Sequence, residues 1–386
     1  MTRILTNPSN SNRLQQKARK SIVISGVNIT EAGPLSILKD CLCFLENNFS
    51  DKYNIIALVN DRNLINIDKI NYYEFPKSKK HWLNRIYYEY IYFRELSRKI
   101  KPYLWFSLHD ITANVSAGIR AVYCHNPAPF YDLSLKEAWL EPKFALFNKF
   151  YKFLYRINIK KNDFVVVQQH WLREEFKRVF RLTNKIVVAY PVIEQMDLPS
   201  RIFNRNPAGK VVFFYPSFPR VFKNFELVCE AAKRLNENGT GNFEVYLTLN
   251  GSETRYSRHI YNKYRQVPSL RFMGVQTREK VFEYYEQADC LIFASKLETC
   301  GLPVIEFKLF DKPILLADLR HCHEALGAYN KARFFDPCNP VELSGLMKAV
   351  IDNSITYERT AAVKVEEPFA RNWETLFKIL LKEDNG

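Results

Sequence analysis

Apolar residues along this chain come in short runs. Each is closed by polar or Gly/Pro turn material and followed by a longer stretch with apolar positions three and four apart. Short unbroken apolar runs read as buried strands, and the three-and-four spacing reads as amphipathic helix. The first series of strands is predicted at Ser21–Val27, Tyr53–Val59, Ile70–Phe75, Tyr103–Leu108, Arg120–Cys124, Asp163–Val167 and Lys185–Ala189. Helices are predicted between them at Leu35–Phe44, from residues 77–82 to about Ile100, at Leu135–Asn158 with a break near Pro142, and at Gln168–Phe180. A second series starts at Val211–Tyr215 and continues with Phe243–Leu249, Leu270–Met273, Cys290–Ala294, Ile314–Ala317 and Arg333–Phe335. Its helices are expected from Asn224 to about Leu235, at 254–265, at 278–287, at Gly301–Phe310 with Leu302, Ile305 and Leu309 as its apolar positions, and at Pro340–Asp352; a last amphipathic helix covers Phe369–Lys382. Strands alternating with helices predict an α/β chain with two doubly wound parallel sheets.

The 386 residues suffice for two domains. Residues 1–20 are polar and basic and are expected to be disordered. The first domain is placed at 21–193 and the second at 211–366, with the terminal helix at 367–386. Residues 194–210 are polar, rich in Pro and Gly and without periodicity, and so are read as the linker.

Candidate chemistry concentrates between Cys290 and Asp318. Glu298 falls on the turn after a strand, and Glu306 on the second turn of the helix that follows. Between them, the backbone N–H groups of Thr299, Cys300 and Gly301 would leave a helix N-terminus, which suits anions and hydroxyl oxygens. Open α/β sheets place ligands at the carboxyl ends of strands. Two carboxylates beside a phosphate-friendly helix end suit a nucleotide sugar, whereas most such pairs are simply solvated surface charges. Lys223 and Arg220 lie on the loop after Val211–Tyr215, where cations would suit a diphosphate; a solvated basic loop is the plainer alternative. In the first half, His109 and His125 both follow predicted strands, and Asn126 follows His125. Gly33 lies in the first strand-to-helix turn, either to admit phosphate or sugar to the backbone or as a plain left-handed turn.

The formal net charge is +15, and residues 1–200 carry 30 Lys and Arg against 18 Asp and Glu. That bias favours an anionic partner: a lipid surface, polyphosphate or nucleic acid. Residues 143–158 alternate aromatic and aliphatic positions with Lys143, Lys149, Lys152 and Arg156. They fit either an anionic membrane surface or an ordinary helix with a solvated basic face. No nucleic-acid motif occurs. No apolar run is long enough to span a membrane, and the N-terminus lacks the apolar centre of a signal peptide, so a cytoplasmic location is expected, with the inner face of a membrane as the peripheral variant. The eight cysteines are scattered and read as reduced thiols. No metal site is expected: no Asp-x-Asp occurs, and His321-Cys322-His323 has no second ligand pair nearby.

The stretch SKLETCGLPVIEFKLFDKPILLAD resembles the E-x7-E signature of family 4 retaining glycosyltransferases, with Cys300-Gly301-Leu302 where the family usually has Phe-Gly-Leu. YCHNPAPFY resembles a segment of bacterial polysaccharide- and lipopolysaccharide-assembly members. The resemblance implies the GT-B fold, two Rossmann-like domains facing a cleft with the last helix crossing back to the first. It implies that Glu298 holds hydroxyls of the donated sugar and Glu306 the nucleotide ribose. Lys223 matches the lysine that neutralises the leaving pyrophosphate, while the family's arginine position, near Ser217, is not basic here and Arg220 is the substitute on the loop. Thr299, Cys300, Gly301, Leu302 and Gly33 complete the donor side. His125 is assigned to the transferred sugar or the acceptor side, and His109 and Asn126 to the acceptor side.

The activity implied is retaining, metal-independent transfer of a sugar from a UDP- or GDP-linked donor to a glycan or lipid-linked acceptor, with no cofactor. Same-face attack is expected, the donor phosphate taking the acceptor proton, because no nucleophilic carboxylate is evident. The alternatives are a nucleotide-sugar epimerase or hydrolase of the same fold, and a non-catalytic basic binding protein.

Overall fold

The computed structural model describes Ile4–Leu5 and residues 19–183, 185–190 and 209–382. The expected disorder of 1–20 and the linker at 194–210 thus fall almost wholly outside the described residues. The strands are β1 (Ile4–Leu5), β2 (Ser21–Gly26), β3 (Asn54–Val59), β4 (Asn71–Glu74), β5 (Leu104–Ser107), β6 (Ile119–Cys124), β7 (Phe164–Val167) and β8 (Ile186–Ala189), then β9 (Val211–Tyr215), β10 (Phe243–Leu247), β11 (Leu270–Phe272), β12 (Cys290–Phe293), β13 (Ile314–Ala317) and β14 (Ala332–Phe335), and last β15 (Phe369–Ala370).

They form two sheets, ordered β1-β4-β3-β2-β5-β6-β7-β8-β15 and β11-β10-β9-β12-β13-β14. Every neighbouring pair is parallel except β1 with β4. The chain separates into two compact units. One comprises Met1–Pro129, Phe150–Glu194 and Val365–Gly386; the other comprises Phe130–Lys149 and Gln195–Lys364. Residues 130–149, which follow β6 in sequence, therefore count with the second unit.

In the first unit each strand sends alternate residues to opposite faces. Ile22, Ile24, Ile55, Ala57, Leu104 and Phe106 join one core, with Leu38, Leu42 and Leu45 from the helix Ala32–Phe49. Val23, Ile56, Leu58 and Trp105 join a second core on the other face, with Phe93 and Leu96 from the helix Phe93–Ile100. This two-sided burial is why the strands read as unbroken apolar runs.

The C-terminal end differs from the single helix expected over Phe369–Lys382. Phe369–Ala370 instead extends the first sheet in parallel with β8, and the helix begins only at Trp373, capped by the Asn372 side chain. Its Leu376, Phe377, Leu380 and Leu381 enter the first unit's larger core. The last helix thus crosses back to the first unit. Arg173 secures the approach, donating to the carbonyls of Glu366 and Pro368.

Candidate active site

In the second sheet the chain runs β9, β10, β11 outward on one side, then returns to lay β12, β13 and β14 on the other. The connections after β9 and β12 therefore diverge at the carboxyl ends of these two adjacent strands, the place where open α/β sheets bind ligands. Lys223 lies on the first connection and Glu298 on the second, and their side chains form an ion pair, both only 15% exposed.

Neighbouring groups fix both loops. Lys223 ends a 3₁₀ turn, Val221–Lys223, and its carbonyl accepts from the Tyr215 hydroxyl at 2.5 Å. Asn224 follows in the left-handed region (φ 56°) and donates to the Pro337 carbonyl at 2.8 Å. The Lys296 amide donates to the Phe222 carbonyl at 2.7 Å, tying the two loops together. Buried His321 donates from Nε2 to the Ser295 carbonyl at 3.0 Å, and burial lowers its pKa, so it serves the loop as a neutral ring. His323 of the same triplet turns instead to Asp318, 2.6 Å away.

Gly301 adopts φ 73° at the head of the helix Leu302–Phe307. A Cβ there would stand 2.9 Å from the Ala325 Cβ, so both backbone angle and space require glycine. The helix has six residues and gives way to a 3₁₀ turn at Lys308, shorter than the Gly301–Phe310 expected. Val304 and Phe307 of the helix and Phe310 of the 3₁₀ turn are buried, whereas Leu302 and Leu309 are exposed and Ile305 is half-buried, so two of the three apolar positions read from the sequence are not packed ones. Thr299 is half-buried and Cys300 buried beside Glu298.

Glu306 is buried, which raises its pKa; Arg278 and Tyr285 oppose that shift. Tyr285 donates to Oε2 at 3.1 Å, and the Arg278 guanidinium lies 2.9 Å from Oε1. Each oxygen keeps a lone pair for a further donor. Arg220 points to another partner. Its Nε lies 2.8 Å from Glu141 Oε2, and its guanidinium lies over the Phe144 ring.

The first unit repeats the topological switch between β2 and β5. His109 follows β5 and is buried. Arg85 donates to its Nδ1 at 3.2 Å and its carbonyl at 2.8 Å, leaving Nε2 to carry the proton toward Ser25 Oγ at 3.1 Å and Glu89 Oε1 at 3.3 Å. Burial, then the Arg85 charge, pushes its pKa well down. His125 donates from Nε2 to the Leu108 carbonyl at 2.9 Å and accepts at Nδ1 from Gln168 at 3.2 Å, so both ring nitrogens are engaged. Its pKa is lowered, chiefly by burial. Asp110, at φ 73°, accepts from the amides of His125 (2.6 Å) and Asn126 (3.1 Å) and from the hydroxyls of Tyr151 and Tyr155 (both 3.0 Å). Gly33 stands apart from this group, exposed on the first turn of the helix Ala32–Phe49, with open space where a Cβ would go and no positive φ.

Arg85, Glu89, Asp110, Tyr151 and Gln168 were not singled out from the sequence. Arg85 and Glu89 are four apart on a Tyr-rich helix, a spacing that reads as a surface pair. Asp110 alone carried a signal, as an acid directly after a predicted strand.

Residues 198–363 match the family described as "Glycosyl transferases group 1". Residues 198–363 thus form a glycosyl transferases group 1 domain, and the chain as a whole has the GT-B fold. No curated protein sequence matches the chain. Among solved structures it is similar to the apo form of the lipopolysaccharide outer core galactosyltransferase WaaB, with TM-score 0.61 and 14% identity over 88% of this chain and 92% of that one. It is similar to WaaG, a glycosyltransferase involved in lipopolysaccharide biosynthesis, with TM-score 0.59 and 11% identity over 86% and 90%. It is also similar to Anabaena Alr3699/HepE in complex with UDP and glucose, with TM-score 0.57 and 10% identity over 87% and 91%.

Proposed function

We propose that this protein transfers a sugar from a nucleoside-diphosphate donor to a hydroxyl of a glycan or lipid-linked acceptor, with retention at the anomeric carbon and without a metal ion. The observation that carries the reading is the Lys223–Glu298 ion pair at the switch point of the second sheet. A buried-edge ammonium there can take up the charge of a leaving diphosphate, and the carboxylate beside it can hold sugar hydroxyls. Glu306 would accept the ribose hydroxyls on its remaining lone pairs. The acceptor oxygen attacks the anomeric carbon from the face the diphosphate leaves. The bond from that carbon to the phosphate oxygen breaks, and the departing diphosphate takes the acceptor proton.

The first unit would serve the acceptor beside Asn126, with His109 and His125, whose ring nitrogens are all engaged, shaping that end of the sheet. A lipid-linked acceptor is supported by the exposed Leu146, Phe150 and Phe153 on the helix Pro142–Arg156, beside Lys149 and Lys152. That face suits an anionic lipid surface. No helix among the described residues is long and apolar enough to cross a membrane.

The deciding experiment is a thermal-shift screen of UDP- and GDP-linked sugars, followed by NMR of the product with EDTA present. A stabilising donor and a product of the donor's anomeric configuration support the reading. An inverted product overturns retention, dependence on a divalent ion overturns metal independence, and free sugar released without acceptor favours a hydrolase. Sedimentation with phosphatidylglycerol vesicles, but not phosphatidylcholine vesicles, is the result expected for the lipid-facing surface.

A further inference from the structure

Residues 130–149 are read from sequence as part of the first domain, yet they belong to the second unit, and several of them contact the two loops that carry Lys223 and Glu298. Glu141 is buried; one oxygen takes Arg220 Nε at 2.8 Å, and the other accepts the Val221 amide at 3.2 Å. Phe222 packs its ring against Phe144 (5.2 Å between centroids) and Tyr131 (6.1 Å). Lys296, on the other loop, lies 3.6 Å from Glu137, whose carboxylate also takes the Tyr131 hydroxyl at 2.6 Å. Lys136 reaches Glu226 at 3.0 Å. Residues 220, 221 and 222, which immediately precede Lys223, are thus all held by this one segment.

We propose that Phe130–Lys149 is a strap that sets the aim of Lys223, with Glu141 as a positioning residue and Arg220 as its anchor. Arg220 then acts by fixing the 3₁₀ turn and not by contacting the donor phosphate. A buried carboxylate with a guanidinium on one oxygen and an amide on the other has little freedom to move. The amide it holds opens the turn that ends in Lys223. The same segment, through Glu137, also touches the Glu298 loop, so it governs both partners of the ion pair. The strap rests on the reading of Lys223 and Glu298 as the donor site.

Glu141→Gln keeps the side-chain shape and removes the charge; Glu141→Asp keeps the charge on a shorter arm. In the full chain without ligand, amide exchange over residues 220–224 should speed up about tenfold in Glu141→Gln, the loss expected for a hydrogen bond to a charged group. Exchange in β9 and β12 should stay as in the wild type. The rise in Tm produced by UDP or GDP should shrink. With an active donor, kcat should fall about tenfold, in the same direction as loss of Lys223, while KM changes less, and Glu141→Asp should recover part of the effect. If Glu141→Gln does not fold, Arg220→Lys is read in the same way, since an ammonium cannot reproduce the guanidinium's geometry. Unchanged exchange at 220–224, with a full nucleotide shift in the variants, overturns the strap while leaving the site intact. A wild-type protein that gains no stability from either nucleotide overturns the site and the strap together.

Discussion

Lys223 and Glu298 are 75 residues apart in sequence and form an ion pair across the two loops that diverge from β9 and β12. A bound diphosphate would compete with Glu298 for the ammonium. On the proposed function, the pair would hold Lys223 in place before a donor arrives and yield part of its charge when one binds.

Lys223→Ala should lower kcat by about two to three orders of magnitude, the effect of removing one preorganised charge from a developing anion. Glu298→Ala should reduce turnover comparably while leaving the fold intact. Initial rates on the donor found by thermal shift, alongside circular dichroism, test both. Wild-type rates in either variant would remove that residue from the site.

Glu306→Ala should act mainly on binding. It removes the acceptor of Tyr285 and Arg278 as well as the proposed ribose contact, so KM should rise more than kcat falls. Nucleotide titration by calorimetry is the direct check; an unchanged Kd would mean that Glu306 only supports Tyr285.

Glu89 makes stability depend on pH. It is fully buried, and apart from His109 its oxygens have no partner among the described residues; burial raises its pKa to about 8, with Arg85 opposing. The folded state therefore keeps this proton between the ordinary carboxylate value and about pH 8, while the unfolded state has lost it. With more protons bound in the folded state, stability falls as pH rises through that window, at about 1.4 kcal/mol per pH unit. Glu89→Gln should flatten this slope. Urea midpoints between pH 5 and 8 (roughly the window of the shift) that decline equally in both proteins would refute it.

Gly301→Ala should destabilise the second unit by about 1–2 kcal/mol from the left-handed backbone alone, with more from the approach to Ala325. Ala325→Gly in the same chain should relieve the crowding but not the backbone term. Denaturant midpoints separate the two.

Ending the chain after Lys364 should leave the first unit prone to aggregation. The cut removes β15 and the Leu376, Phe377, Leu380 and Leu381 side chains, and so exposes a core face. A monodisperse truncated protein with an unchanged Tm would contradict this.

Much of the fold was legible because its strands are buried on both faces. Segments such as Ile22–Ile24 and Val212–Tyr215 are almost unbroken apolar runs, and their alternation with helical spacing admits few architectures. Glu298 and Glu306 were legible because eight residues of strand-turn-helix place them at one end of one sheet. The helix between them was less so: with Glu306 packed against Tyr285, an acid takes a buried position that an apolar pattern cannot predict. Phe369–Ala370 looked helical because two residues cannot show a strand's alternation; only the open edge of β8 makes them a strand.

The sequence by itself determined the alternating architecture, the order of the elements and the local motif of two glutamates around Gly301, because each is written in neighbouring residues. Tertiary structure decided which distant groups meet. It gave Lys223 to Glu298 and Arg220 to Glu141, made Asp110 the hub that fixes His125 and Asn126, and counted residues 130–149 with the second unit. The physical reason is that charge pairing and burial depend on distance in space, and residues on different elements, here 15 to 80 positions apart, carry no shared periodicity through which that distance could be read.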